Sequence, residues 1–345
     1  MEKRKKILSI CIPTYNRRDK LDLCLSFLLE EINQFEEDVE IIISDNCSTD
    51  LTEEMVKGKY PQFYKNYYRS QINYGPYQNF YTAVLKAVGK FVWLIGDDDI
   101  ILPGIINQII TIIKYDDTLK FIMVNDYVWR PESNNQMKYT KNEILSLINT
   151  NKVGVSINDF SSRYVSKIID FVSYRSDAFT PTYSNIMLRE YWVETNKLGL
   201  ESSKKYSQFE NLLSCNANSY WIVKKLHNTK GYYFGSPSLL VSLDTGWTDY
   251  VCTWFYKILP ELYKLELNYG ADLNKIKKYK SEWLKYNELI ISSIRNNKKN
   301  KQSLFNLKLF ILEFYNIEGF ANVLFKIVKE YIKKYIKFVV NAFKS

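Results

Sequence analysis

The chain has 345 residues, 46% of them hydrophobic, 16% aromatic and 25% charged, with only 12 glycines and 8 prolines. These proportions supply a large core and exclude collagen-like, low-complexity and disordered classes. The net charge of +9 is uneven: Gly270–Ser345 holds 16 basic and 6 acidic residues, so the body before it is near neutral and the tail points to an anionic partner, membrane headgroups or nucleic acid.

In chain order, Ile7–Thr14 reads as an apolar strand. Asn16 follows at an N-cap position, with Leu21, Leu25, Leu28 and Ile32 at helical spacing behind it. Val39–Ser44 is a β-branched run, the pattern of a strand buried on both faces. Asp50 with Glu53 three residues on predicts a capping box and a short helix towards Gly58. Phe63–Arg69 predicts a third strand. Pro76 stands where a first helical residue would, ahead of Tyr77, Phe80, Tyr81, Val84, Leu85 and Val88 on one face. Phe91–Ile95 predicts a strand, Pro103–Lys114 a helix and Lys120–Asp126 a strand. This alternation predicts parallel crossover units in an open α/β sheet, which binds ligands outside the carboxyl ends of its strands. From Val128 to Ser184 the pattern loosens, with helical signals at Asn142–Ile148 and Phe160–Ile169. Asn185–Leu188 and Leu239–Leu243 read as strands and Tyr206–Leu213 as a helix start. Beyond Trp247 the chain reads as helical, with a break at Asn296–Lys301.

The cysteines (Cys11, Cys24, Cys47, Cys215 and Cys252) form no C-x-x-C pair, which argues against a disulfide framework or zinc site and for a reducing compartment. Ile100–Ile113 is interrupted by Pro103, Gly104, Asn107 and Gln108 and falls short of the roughly 18 apolar residues of a spanning helix. No signal-peptide core follows the N-terminus. The expectation is a cytoplasmic protein without a transmembrane helix.

Three consecutive carboxylates, Asp97, Asp98 and Asp99, stand between a buried strand and a helix. Like charges so placed raise one another's pKa, and a bound divalent cation relieves that cost. Mg²⁺ or Mn²⁺ is held by one or two carboxylates plus substrate phosphates and neutralises a diphosphate leaving group. The competing reading is a solvated acidic loop. His227 is the sole histidine, which excludes His-dependent triads and multi-His metal sites; G-x-G-x-x-G and Walker-type glycine loops are missing.

Four strings in order resemble family 2 glycosyltransferases of the GT-A fold: Ile12-Pro13-Thr14-Tyr15-Asn16-Arg17, Ile42-Ile43-Ser44-Asp45-Asn46-Cys47-Ser48-Thr49-Asp50, Asn73-Tyr74-Gly75, and Gly96–Gly104. The resemblance covers residues 7–126. It implies that Pro13, Thr14, Tyr15, Asn16 and Arg17 line the nucleotide site, with Tyr15 as a stacking surface. It implies that Asp45, with Asn46 and Ser48 beside it, meets the base, and that Arg69, Asn73 and Gly75 flank base and ribose. Asp45 as a turn former is the alternative. Asp97 and Asp98 would meet the donor, and two of Asp97, Asp98 and Asp99 the metal. The family's usual D-x-D-D aligns its first aspartate with Gly96, and the G-D-D-D form resembles an abequosyltransferase-like subgroup of surface-polysaccharide enzymes. The family's acidic general-base motif falls at Glu210-Asn211, with Asp170, Asp177 and Asp244 in reserve.

In the tail, Asn322–Phe343 carries Leu324, Phe325, Ile327, Val328, Tyr331, Ile332, Tyr335, Ile336, Val339 and Phe343 at helical spacing, with Lys326, Lys329, Lys333, Lys334 and Lys337 among them. A basic amphipathic helix predicts contact with an anionic membrane, placing the protein peripherally at the inner face.

The expected organisation is a GT-A-like domain over 1–245, an open, mostly parallel sheet flanked by helices. Residues 1–126 form its nucleotide-sugar half and 127–245 its acceptor half; a helical basic region follows at 246–345. The expected activity is an inverting, Mg²⁺- or Mn²⁺-dependent transfer from a nucleotide-diphosphate sugar, UDP-linked first, to a saccharide or lipid-linked glycan, without nucleic acid. A nucleotidyltransferase lacks its glycine-rich basic loop here. A glycan- or nucleic-acid-binding protein would rely on the tail alone.

Overall fold

The computed structural model describes residues 6–32, 34–129, 139–150, 152–207, 210–242, 253–285, 287–288, 291 and 307–342. The chain forms two compact units, Met1–Lys205 with Ala217–Asp244, and Tyr206–Asn216 with Thr245–Ser345.

The first unit starts with β1 (Leu8–Thr14), α1 (Arg18–Ile32), β2 (Val39–Asp45), α2 (Thr52–Lys59), α3 (Pro61–Tyr64), β3 (Tyr67–Arg69), α4 (Pro76–Lys86) and β4 (Phe91–Leu94). It continues with β5 (Ile100–Ile101), α5 (Ile105–Tyr115), β6 (Phe121–Trp129), α6 (Lys141–Asn149), β7 (Gly154–Val155), β8 (Arg163–Val165), β9 (Asn185–Leu188), α7 (Arg189–Ser203), α9 (Ala217–Leu226) and β10 (Gly231–Ser242), while α8 (Leu212–Cys215) belongs to the second unit.

The sheet order is β3-β2-β1-β4-β9-β6-β10-β5, with β7 on β6 and β8 on β10. β3, β2, β1 and β4 are mutually parallel, as the crossover pattern predicts. Beyond β4 the sheet is mixed: β9 runs antiparallel to both β4 and β6, and β6 pairs parallel with β10. β1 is apolar and buried along its length because it lies between two parallel neighbours. α1 buries Leu21, Cys24, Leu25, Leu28 and Ile32, a stripe at helical period, and α5 buries Ile105, Ile106, Ile109, Ile110 and Ile113.

Several local expectations are corrected by tertiary contacts. The strand expected over Phe63–Arg69 shrinks to β3, because Pro61 opens the helical turn α3. Asp50 does not cap α2, whose N-cap Leu51 is left-handed at φ 66. Asp50 Oδ2 instead accepts the Arg18 N–H at 2.9 Å, at the start of α1. Asn16, left-handed at φ 51, is thus displaced from its expected capping role, and its Oδ1 accepts the Thr49 N–H at 2.7 Å. The loops after β1 and β2 therefore satisfy each other. Phe160–Ile169 is not helical: β8 pairs with β10, and a 3₁₀ turn follows at Ile168–Ser173. β10 begins at Gly231, well before Leu239, and its register with β6 shifts between Phe234 and Leu239.

In the second unit the helical start expected at Tyr206 begins at α8, where Asn211 Oδ1 accepts the Ser214 N–H at 2.9 Å. A π-helical turn at Trp254–Ile258 leads into helices Leu259–Asn268, Leu273–Leu284, Leu307–Phe314 and Phe320–Ala342. Tyr256, Leu284, Phe310, Phe314, Ile317, Val323 and Ile327 form a core. The apolar residues of the last helix divide between two faces. Val323 and Ile327 are buried, whereas Phe325 (71%), Ile332 (54%), Tyr335 (69%) and Ile336 (54%) are exposed. Among the described residues no helix is long and apolar enough to cross a membrane. Asp244, the Asn296–Lys301 break and Phe343 lie outside the described residues, as do the side chains of Lys337 and Val339.

Candidate active site

Because β1 runs parallel to β2 and β4, the segments after Thr14, Asp45 and Leu94 leave the sheet on one side. Asn79 of α4 ties the first two together: its Nδ2 donates to the Thr14 carbonyl at 3.1 Å, and its Oδ1 accepts from Ser44 Oγ at 2.7 Å. Pro13 is buried within β1, past the last β1–β4 pair of Cys11 with Leu94, while Tyr15 is exposed at the rim.

Asp97, Asp98 and Asp99 are nearly closed from solvent. Thr14 Oγ1 donates to Asp97 Oδ2 at 2.7 Å. Arg17 reaches both neighbours, its Nη1 lying 2.8 Å from Asp97 Oδ1 and its Nη2 donating to Asp98 Oδ2. Lys20, one turn along α1, lies 3.5 Å from the same Asp98 oxygen. Asp99 folds back, its Oδ2 accepting the Gly96 N–H at 2.7 Å. A Cβ on Gly96 would stand 2.9 Å from Asp98 Oδ1 and 3.1 Å from Asp99 Oδ2. A side chain at Gly96 would therefore have to displace the Asp98 and Asp99 carboxylates from their present positions.

Two cations thus face three carboxylates. Burial pushes the Asp97 carboxyl up to about 6, against the opposing pull of Arg17. Asp99 is pushed well above the usual carboxylate range, by burial first and then by the charge of Asp98. Asp97 Oδ1 is buried and has no hydrogen bond beyond its ion pair with Arg17. Excess negative charge on hard oxygen donors fits Mg²⁺ or Mn²⁺. Among the described residues no three His, Cys, Asp or Glu side chains form a ready cage. The fit is therefore to an ion that takes part of its shell from substrate phosphates and water.

The loop after β2 is wired inward. Asp45 is fully enclosed, its Oδ1 accepting the Ser48 N–H at 2.8 Å and its Oδ2 accepting the Tyr67 hydroxyl, with Arg69 Nε 3.7 Å away. Burial and the Asp45 carboxylate together push the Tyr67 hydroxyl far above its ordinary pKa. Ser48 Oγ accepts the Asn16 N–H at 2.9 Å, and Arg69 Nη2 donates to the Ser48 carbonyl at 2.8 Å. Asn46 Nδ2 donates to Asn73 Oδ1 at 2.7 Å and to the Gly75 carbonyl at 3.2 Å; Asn73 Oδ1 also accepts the Gly75 N–H at 2.8 Å. Gly75 holds φ 84 just before Pro76, a conformation that favours glycine. A 330 Å³ cavity opens beside these residues, over Asn46, Arg69, Tyr74 and Asn79, a volume within the range of small-ligand pockets.

The fold thus gathers Thr14, Asn16, Arg17, Asp45, Asn46, Ser48, Arg69, Asn73, Gly75 and Asp97–Asp99 at one edge. Asp170 lies elsewhere. Its 3₁₀ turn is held to the start of β10 through Ile168 N–H to the Thr229 carbonyl, at the opposite end of the sheet. His227 is at that end too, its Nδ1 3.1 Å from the Val223 carbonyl. Glu210 belongs to the second unit, is exposed, and accepts the Ser207 N–H at 2.9 Å. Sequence reasoning missed Lys20, Tyr67 and Asn79. Lys20 follows Arg17 by three residues across the start of α1, a spacing that brings both to the Asp98 carboxylate. Tyr67 and Asn79 carry no local signature. Also missed was a buried pair at the same edge, Asp126 with Arg175.

Residues 9–176 match the model of Glycosyl transferase family 2. The abequosyltransferase RfbV of Salmonella typhimurium is 42% identical over 98 residues, 27% of this chain and 28% of that protein. The GalNAc(5)-diNAcBac-PP-undecaprenol beta-1,3-glucosyltransferase of Campylobacter jejuni is 32% identical over 104 residues, 30% of this chain and 33% of that protein. The chain therefore spans about a third or less of these curated relatives. The structure of S. aureus TarS 1–349 in complex with UDP aligns with a TM-score of 0.51 at 15% identity, covering 95% of this chain and 92% of that one. That likeness is one of fold: the GT-A-like α/β sheet that the motifs implied, followed by the C-terminal helices that periodicity predicted.

Proposed function

We propose, for a chain whose residues 9–176 are a family 2 glycosyltransferase domain, that it moves a sugar from a nucleotide-diphosphate donor to a saccharide or lipid-linked glycan acceptor in bacterial surface-polysaccharide synthesis. The observation that carries this is the buried Asp97–Asp99 cluster, set at the sheet edge beside the Asp45–Ser48 loop. The relatives' names, an abequosyltransferase and an undecaprenol-linked glucosyltransferase, support the glycan setting.

The Asn46, Arg69 and Asn73 side would hold the nucleoside, and UDP is the donor nucleotide we favour. Asp98, with Asp97 or Asp99, would hold Mg²⁺ or Mn²⁺. When bound, the ion neutralises charge on the departing diphosphate. Arg17 and Lys20 stand beside the same carboxylates and orient them. The acceptor hydroxyl would enter opposite the diphosphate, giving inversion at the anomeric carbon. The test is a screen of UDP-, GDP-, CDP- and dTDP-sugars for nucleotide release with Mg²⁺, with Mn²⁺ and with EDTA. Release from one donor class, lost with EDTA, is expected; release from none would remove the transferase reading.

The last helix would bring the enzyme to an anionic membrane at the inner face. Phe325, Ile332, Tyr335 and Ile336 are exposed beside Lys326, Lys329 and Lys333. Each lysine near such a surface contributes about 1 kcal/mol, so attachment should be reversible and salt-sensitive. Val323 and Ile327 are core, so the test keeps the helix and changes its exposed face. Phe325→Ser combined with Ile332→Ser and Tyr335→Ser should abolish co-sedimentation with anionic vesicles at low salt. Equal binding by variant and parent would assign this face to ordinary surface.

A further inference from the structure

We propose that Asp177 is the base that takes the acceptor proton, and that Arg175, anchored on Asp126, is the positioning residue that holds it at the sheet edge. The proposal rests on the glycosyl-transfer reading.

Topology brings these residues to the acidic cluster. β9 runs antiparallel to β4 and β6, with Ile186 opposite both Trp93 and Ile122. The segment just before β9 therefore emerges on the side where β4 delivers Asp97–Asp99. It is pinned there: Trp93 Nε1 donates to the Tyr183 carbonyl at 2.7 Å, and Asn185 Nδ2 donates to the Pro181 carbonyl at 2.7 Å. Asn218 Nδ2 donates to the Phe179 carbonyl at 2.7 Å. Asp126 reaches the same edge along β6. It pairs with Leu239 of β10, and Leu239 pairs with Ile101 of β5, which follows the acidic cluster. Only one strand separates Asp126 from Ile101, a span of about 10 Å at ordinary strand spacing.

The side-chain geometry assigns the roles. Arg175 Nη1 donates to Asp126 Oδ1 at 2.8 Å, Nε donates to Asp177 Oδ1 at 2.7 Å, and Nη2 reaches Asp177 Oδ2 at 3.3 Å. Ser156 Oγ donates to the second Asp126 oxygen. The Asp126 side chain is 0% exposed and that of Arg175 10%, whereas that of Asp177 is 30% exposed. Asp126 is thus consumed by its partners, and Asp177 is the member that opens to solvent. A carboxylate offers about four lone-pair directions, and Arg175 occupies one on each oxygen, which leaves acceptor capacity for a sugar hydroxyl. Burying a guanidinium against two carboxylates is expensive for stability alone. Here it fixes the plane of a partly exposed carboxylate at the sheet edge.

In the step itself the acceptor oxygen forms its bond to the anomeric carbon as its proton passes to an Asp177 oxygen. The anomeric carbon–phosphate oxygen bond breaks, and its electron pair leaves with the nucleoside diphosphate. The proton is later lost to water.

The experiment measures kcat and donor KM for full-length Asp177→Asn, Arg175→Lys, Arg175→Met and Glu210→Gln, using the nucleotide sugar that wild type turns over, with water as acceptor. Calorimetry with the matching nucleoside diphosphate checks that each variant still folds and binds. Asp177→Asn should lose at least about 10²-fold in kcat, with donor KM and nucleotide affinity held within about twofold. Arg175→Met should lower kcat in the same way, and Arg175→Lys should restore part of it. Near-wild-type kcat in Asp177→Asn, or the full loss in Glu210→Gln instead, would overturn the assignment. A wild type that releases nucleotide from no donor overturns the transfer reading, and this assignment with it.

Discussion

Asp98→Asn is expected to fold normally and to lose at least about 10²-fold in turnover, the effect of removing one preorganised electrostatic contact to developing charge. The substitution keeps the shape of the side chain while removing the charge that Arg17 and Lys20 face. The same cluster sets a pH dependence. Burial holds the Asp97 carboxyl at about 6, above its ordinary 3.8, so folding favours its protonated form. That contribution to stability is complete below pH 3.8 and is lost as pH rises through about 6. A cation binds the ionised form and removes the resulting strain. Mg²⁺ or Mn²⁺ should therefore raise the melting temperature more at pH 7.5 than at pH 5.5, and should raise it little in Asp98→Asn. A metal effect that is equal at both pH values, or unchanged in the variant, would place the ion elsewhere.

Asp45→Ala is expected to cost about 1.5–3 kcal/mol of unfolding free energy, the usual contribution of hydrogen bonds to a buried charged group. The carboxylate is fully enclosed by Ser48, Tyr67 and Arg69, and its loss leaves the partly buried Tyr67 hydroxyl without its acceptor. Nucleotide affinity should fall as well, because the same turn places Asn46 and Arg69 against the cavity. Tyr67→Phe separates the two effects. It removes only the donor, and should cost about 1–2 kcal/mol while leaving nucleotide affinity within a few-fold. Denaturant unfolding and calorimetry with UDP read both quantities. If Asp45→Ala unfolds like wild type, the carboxylate is not the keystone of the turn.

The sequence motifs indicated both the enzyme family and the edge of the sheet that carries the polar groups. Strings such as Ile7–Thr14 and Val39–Ser44 are apolar because parallel strands are covered on both faces, and that burial is written in composition. Asp97–Asp99 stood out because adjacent carboxylates beside a buried strand demand a compensating charge. Capping was less legible. Asp50 and Asn16 satisfied local rules, yet each serves the neighbouring loop, since the loops after β1 and β2 lie side by side.

By itself the sequence indicated most strands and helices of the first half, though not α3 or β5, and where the acids cluster there. Periodicity and charge clustering are local properties of a chain. Only the tertiary structure decided that Asp99 folds back onto the Gly96 N–H, and that Asp45 is enclosed by Tyr67. It also decided that β9, antiparallel between β4 and β6, carries Arg175 and Asp177 to Asp126. Asp126 and Arg175 are 49 residues apart. Their pairing depends on strand order and direction, which no local pattern encodes.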